Sequence, residues 1–345
     1  MHISKLLTCG SIYLLLSTTA SATGLLDVQI KTYDAGFSDY IDGESRFEIL
    51  ASELGWAEGP VWVSSLDSLL FSDVARDRVY RWNENDGLAE YLSPSGHKPD
   101  DAPTDWRGSN GLAIDMHGSL LLAQQGNRVL ARMRSGLDHP VADYEVLASH
   151  YHEQPINSPN DLVSHPSGDI YFTDPPYGLA GFENSPDIKL DFFAVFRRTK
   201  DGQLIAINKT LAKPNGIALS IDHTTLYVSN SEPGQEKIIA IDLEATDADT
   251  SSRLLFDAAD QGSEGLGSTD GMTVHASGIL FVSLPGGFGL LTPDGRLLGK
   301  VLLGQITNMA FDASFSYLYL TAPDRLLRVK IKASAATSRI PEKSK

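Results

Sequence analysis

The chain has 345 residues, with 28 Lys and Arg against 44 Asp and Glu for a formal charge of −16, and it is 42% hydrophobic and 21% charged. That balance is ordinary for a globular protein and excludes collagen-like, coiled-coil and disordered chains. It also excludes nucleic acid as a natural partner, because phosphate recognition needs a basic footprint, whereas an acidic chain suits cations.

The N-terminus reads as a targeting segment. His2 and Lys5 precede the apolar stretch Leu6 to Leu16, and Ala20-Ser21-Ala22 supplies a small-residue cleavage pattern, so residues 1–22 are expected to be a cleavable signal peptide. The apolar part is shorter than the roughly 20 residues of a membrane span, and no other segment is long and apolar enough to be one. The expectation is an exported protein, periplasmic or secreted, monomer or dimer. Cleavage after Ala22 would leave 323 residues with a charge of −17 and no cysteine, since Cys9 departs with the leader. Disulfide and thiolate chemistry are then excluded.

Next along the chain comes a repeat. The apolar strands Leu69-Leu70-Phe71-Ser72-Asp73, Leu120-Leu121-Leu122-Ala123-Gln124, Ile170-Tyr171-Phe172-Thr173-Asp174, Leu226-Tyr227-Val228-Ser229-Asn230, Leu280-Phe281-Val282-Ser283-Leu284 and Leu318-Tyr319-Leu320-Thr321-Ala322 each end small and polar. Such strands are buried on both faces and meet solvent at one end. Ten or eleven residues ahead of each lies a second apolar strand opened by an amide or a carboxylate: Glu58, Asn110, Asn160, Asn215, Asp270 and Asn308. Two strands and a turn fill that gap. The opening residues are 52, 50, 55, 55 and 38 positions apart, a period long enough for four short strands. The expected fold is therefore all-β, a six-bladed β-propeller over residues 23–332. The short last interval implies that N-terminal sequence, near residues 25–50, completes the final blade and removes the open sheet edge. Ser95 to Gly108 and Pro175 to Asp191 interrupt the repeat as surface loops, the second in a position to cover one mouth of the channel. Residues 333–345, rich in Ser, Ala and Lys, are expected to be a disordered tail.

Inner strands of a propeller converge on one channel, so the six opening residues should form a ring of oxygen donors. Asn-Gly and Asp-Gly alone would be ordinary turn dipeptides. Turns do not account for Glu58, for Asn160 before Asp161, or for Asn308 before Met309 at the same phase of the repeat. Six oxygen side chains, two of them anionic, make a site for one hard divalent metal ion, Ca²⁺ first. No His or Cys stands at these positions to favour Zn²⁺. Serine-nucleophile chemistry lacks a Gly-x-Ser-x-Gly elbow, and His150-Tyr151-His152 lies in a polar loop.

The stretches Glu58-Gly59-Pro60-Val61-Trp62, Asn157-Ser158-Pro159-Asn160-Asp161-Leu162-Val163, Tyr171-Phe172-Thr173-Asp174-Pro175-Pro176-Tyr177-Gly178, Lys213-Pro214-Asn215-Gly216-Ile217-Ala218, Thr269-Asp270-Gly271-Met272 and Thr307-Asn308-Met309-Ala310-Phe311 resemble the gluconolactonase, regucalcin (senescence marker protein) and luciferin-regenerating enzyme family, over about residues 45–325. The resemblance implies a propeller with one catalytic divalent metal, commonly Ca²⁺, with Zn²⁺, Mn²⁺ or Mg²⁺ in other members. It implies Glu58, Asn160, Asn215 and Asp270 as metal ligands and Asp270 as the acid/base. It further implies Asn160, Asp161, Asn110 and Asn308 as substrate-binding residues. Thr269 stands where many members have proline. The implied activity is opening of a sugar lactone such as D-glucono-1,5-lactone to the aldonic acid. The alternatives are an organophosphate-cleaving hydrolase on the same metal site and a non-enzymatic, calcium-riveted binding propeller.

Overall fold

The computed structural model describes residues 24–96, 106–245, 251–259 and 265–332. The expected signal peptide and the C-terminal tail lie outside them. Among the described residues no helix is long and apolar enough to cross a membrane.

The repeat read from sequence is a ring of six antiparallel sheets. The first blade runs outward through Ala57–Val63, Ser68–Asp73, Arg78–Asn83 and Gly87–Leu92. The second holds Leu112–Ile114, Leu120–Gln124, Val129–Met133 and Tyr144–Ala148; the third Leu162–Ser164, Ile170–Asp174, Ala194–Arg198 and Leu204–Asn208. The fourth holds Pro214–Leu219, Thr225–Asn230, Lys237–Asp242 and Ser252–Asp257; the fifth Met272–Val274, Leu280–Leu284, Gly287–Leu291 and Leu297–Leu302. The sixth comprises Asn308–Phe311, Tyr317–Ala322 and Arg325–Lys330 from the C-terminal end of the propeller. Each inner strand packs against the next, and Asn308–Phe311 returns to Ala57–Val63, closing the ring.

N-terminal sequence does complete the last blade, but it divides between two sheets. Phe47–Ser52 pairs with Arg325–Lys330 as the fourth strand of the sixth blade, and Gly24–Leu26 pairs outside it. Gln29–Thr32 instead adds a fifth strand to the fifth blade, against Leu297–Leu302. The 38-residue interval thus has a different origin from the one expected. It spans the fifth blade, whose four strands all follow one another in sequence with short connections. The closure is braced at the rim. Arg328 lies 5.2 Å over the Trp82 ring and 4.7 Å over the Tyr317 ring, and it pairs with Glu48 at 2.7 Å. Apolar clusters fill the spaces between blades: Leu50, Leu69, Phe71 and Tyr319 pack where the sixth meets the first, and Leu121, Phe172 and Phe196 where the second meets the third.

The small polar ends of the repeated strands are stitches between blades. Thr173 Oγ1 donates to the Asn215 carbonyl at 2.6 Å, Ser229 Oγ to the Asp270 carbonyl at 2.8 Å, and Ser72 and Ser109 share a hydrogen bond at 2.8 Å. The hydroxyls end a hydrophobic strand where the blades converge too tightly for larger side chains, and there they satisfy backbone groups that would otherwise be buried without a partner.

The same crowding explains the glycines after the ring residues. Gly216 is not a turn residue. A Cβ there would stand 2.2 Å from the Asp270 carbonyl oxygen and 2.6 Å from the Gly271 Cα, both backbone atoms of the next blade. Gly216→Ala is expected to cost about 3 kcal/mol or more, the upper range for overpacking a site that cannot yield. It should also depress activity by displacing Asp270. Thermal unfolding and turnover of the variant check this; wild-type values in both would show that the blades can separate at no cost.

Candidate metal centre and active site

Glu58, Asn110, Asn160, Asn215 and Asp270 line one cavity of about 310 Å³ at one end of the channel. All but Asp270 are buried at 4–7% exposure, and Asp270 is half-buried. Two β-bulges help to aim them. The ladder register shifts between Glu58 and Val61 and again between Pro214 and Ile217, and a bulge redirects the side chains it carries. Thr269 donates through Oγ1 to the Asn230 carbonyl at 2.6 Å and so anchors the approach to Asp270.

Asn308 and Asp161 occupy the other side of the ring. They border a second cavity of about 490 Å³ at the opposite end of the channel, otherwise lined largely by apolar side chains. Asn308 Nδ2 donates to Asp161 Oδ2 at 3.2 Å, and the backbone N–H groups of Leu162 and Ile217 donate to the two Asp161 oxygens at 2.9 and 3.2 Å. Asn308 lies outside the lining of the first cavity. Its strand carries no bulge, so its register with Tyr317–Ala322 runs unbroken from Asn308 to Phe311. Of the residues expected to form one site, five therefore line the 310 Å³ cavity, and Asp161 and Asn308 stand beneath it.

The electrostatics of the ring call for positive charge. Burial, then the Asp270 and Asp161 charges, hold the Glu58 carboxyl well above the ordinary carboxylate range. Burial and the Asp161 charge do the same to Asp270, opposed by a hydrogen bond from Asn215. Burial also raises Asp161, to about 6. No Lys, Arg or His lines the cavity among the described residues. Acidic groups packed in this way resist joint ionisation unless a cation joins them.

The donor set suits such a cation. Asn110 Nδ2 donates to Gln125 Oε1 at 3.2 Å, which leaves Asn110 Oδ1 buried with no partner among the described residues. An orphaned buried acceptor is costly and is answered by a ligand. Among the described residues no three His, Cys, Asp or Glu side chains converge closely enough to hold a metal by themselves. A metal here would depend on the amide oxygens as well as on Glu58 and Asp270. That is the chemistry of a hard, oxygen-liganded ion.

Several cavity residues escaped the sequence reading. Gln125, which supports Asn110, sits just past a repeated strand, outside the phase that marked the ring. Trp56 and Trp106 meet edge to face at 4.8 Å between ring centroids on one wall. Tyr177 and Phe182 line the cavity from the Pro175 to Asp191 loop. Glu183 of that loop pairs with Lys213 of the fourth blade at 3.5 Å, and Lys213 also reaches Glu232 at 3.1 Å. The aromatic positions carry no periodic signal, because insertions supply three of the four.

The SMP-30/Gluconolactonase/LRE-like region matches residues 56–323. A gluconolactonase of Zymomonas mobilis is 36% identical over 301 residues, 85% of this chain and 83% of the relative. A solved gluconolactonase of Xanthomonas campestris, described as important in glucose secondary metabolic pathways, superposes with a TM-score of 0.74 at 28% identity, over 90% of this chain and 97% of its own. A calcium-binding regucalcin of Agrobacterium tumefaciens shares the fold at a TM-score of 0.62 and 17% identity, over 82% and 94% of the two chains. The match takes in all six ring residues, and the chain belongs to the SMP-30/gluconolactonase/LRE-like family.

Proposed function

We propose that the protein is a hydrolase that opens a sugar lactone such as D-glucono-1,5-lactone to its aldonic acid, with one divalent metal ion, Ca²⁺ in preference to Zn²⁺, Mn²⁺ or Mg²⁺. The observation that carries this reading is the convergence of Glu58, Asn160, Asn215 and Asp270 with the orphaned Asn110 oxygen in one cavity of about 310 Å³.

A divalent cation held by Glu58, Asn160, Asn215 and Asp270 would supply a Lewis acid for the lactone carbonyl. Asp270, one of the two carboxylates lining the cavity, takes a proton from the attacking water as its oxygen bonds to the carbonyl carbon. It then returns that proton to the ring oxygen as the acyl C–O bond breaks. Asn110, oriented by Gln125, and Asn160 hold the substrate, and the Trp56 and Trp106 wall limits access of bulk water. Asp161, its oxygens taken up by Leu162, Ile217 and Asn308, contributes charge and support from beneath. Export through residues 1–22 is part of the same proposal and rests on the leader pattern of the sequence.

Paired assays on one preparation test the reading. Turnover of D-glucono-1,5-lactone above the spontaneous rate, with none of a phosphotriester such as paraoxon, is the expected result. Phosphotriester cleavage without lactone opening would overturn it in favour of an organophosphate hydrolase. Activity on neither would point to a binding propeller.

A further inference from the structure

By burial, the lining of the 310 Å³ cavity divides in two. Its oxygen donors Glu58, Asn110, Asn160 and Asn215 are 4–7% exposed, whereas Leu266 and Phe182 of the same lining are 80% and 41% exposed. Trp56 and Trp106, both half-buried, fall between. The cavity is therefore polar in its depth and apolar where it meets solvent.

Single exposed apolar side chains are ordinary on a protein surface. These two are set apart by the backbone that presents them. Phe182 has a φ of 51°, in the left-handed region, where a bulky residue is an outlier. Its N–H donates to the Leu179 carbonyl and its carbonyl accepts from the Ser185 N–H, both at 3.0 Å. The next residue, Glu183, is tied to Lys213 at 3.5 Å. Leu266 lies between Gly265 and Gly267, whose φ angles are 147° and 101°. The Leu266 carbonyl accepts from the Gly286 N–H at 2.9 Å, and a Cβ on Gly265 would stand 2.8 Å from the Gly286 Cα. Each backbone is pinned while its apolar side chain is left in water. Such conformations persist where the surroundings over-determine them, and they cluster at ligand clamps. Two separate loops thus deliver the same chemistry to the exposed side of one cavity.

We infer that Phe182 and Leu266 bind an apolar substituent of the lactone ring, so that the enzyme takes alkyl-substituted lactones as a second class of substrate beside sugar lactones. The inference rests on the lactonase reading and widens it. A lactone whose carbonyl lies among the buried oxygen donors leaves its far side at the exposed end. The hydroxyls of gluconolactone gain nothing from Phe182 and Leu266 there, whereas an alkyl chain is removed from water.

The test compares kcat/KM for δ-valerolactone and for δ-decalactone, the same six-membered ring bearing a pentyl chain. In wild type the ratio should favour δ-decalactone by roughly tenfold or more, since one methylene in an apolar pocket is worth about 10–200-fold. Leu266→Ser and Phe182→Ser should each lower that ratio, and the double variant should bring it near one. A general loss of fold or of metal cancels from the ratio. Leu266→Ser carries the test if Phe182→Ser fails to fold by thermal unfolding, because a side chain 80% exposed contributes little to the core. A wild-type ratio of one or less, or a ratio that Leu266→Ser leaves unchanged, would overturn the inference while leaving gluconolactone turnover intact. If wild type opens no lactone, gluconolactone included, the lactonase reading itself falls and this inference with it, a result visible before any variant is made.

Discussion

Treatment with EDTA is expected to abolish lactone turnover, and added Ca²⁺ to restore it. This is the largest effect expected of the protein, and it follows from the charge balance of the ring. Glu58 and Asp270 are held well above the ordinary carboxylate range by burial first and by neighbouring carboxylates second, and Asn110 Oδ1 has no partner among the described residues. A divalent ion would neutralise both carboxylates at once, and the Asn110 oxygen is left to the substrate. Because it binds the folded ring and not the unfolded chain, it also stabilises the fold, by about 2.7 kcal/mol at a free concentration one hundred times its Kd. Melting temperature is thus a second readout, independent of catalysis. Glu58→Gln keeps an oxygen but removes one of the two charges that line the cavity. It should weaken metal binding, and excess Ca²⁺ should recover part of the lost activity. Full turnover by rigorously metal-free protein, with no shift in melting temperature on adding Ca²⁺, would end the metal proposal.

Asp270→Asn is expected to lower kcat by a factor on the order of 10²–10⁴, the range for loss of a general acid or base. The substitution preserves size and one oxygen, so the cation should still bind, though more weakly. The measurement is therefore made at saturating Ca²⁺, with occupancy checked by the thermal shift. The contrast with Glu58 is the informative part. Metal in excess should rescue Glu58→Gln in part and leave Asp270→Asn impaired. Wild-type turnover by metal-loaded Asp270→Asn would move the proton-transfer role elsewhere. Glu58 would then be the remaining carboxylate of the cavity, since Leu162, Ile217 and Asn308 already occupy the Asp161 oxygens.

The sequence by itself determined the blade number, the phase of the ring and the identity of five side chains that share the cavity. Each rests on a local rule that repeats: an apolar strand, a small polar end, and an oxygen side chain ten or eleven residues ahead. Repetition converts that rule into geometry, because equivalent positions in a closed ring must converge. Only the tertiary structure decided what is not periodic. It divided the N-terminal segment between the fifth and sixth blades, since edge pairing depends on which outer strand lies exposed nearby. It set Asn308 and Asp161 below the cavity, because register, not residue type, decides which end of the channel a side chain faces. It turned Asn-Gly and Asp-Gly from turn signals into packing requirements, since the distance from Gly216 to the Asp270 carbonyl exists only once two blades are pressed together. It also brought Trp56, Trp106, Tyr177 and Phe182 around the ring. These residues lie as far apart as 126 positions in the chain, and no local pattern links them, because loop closure over such distances is fixed by the folded scaffold and not by the loops' own sequences.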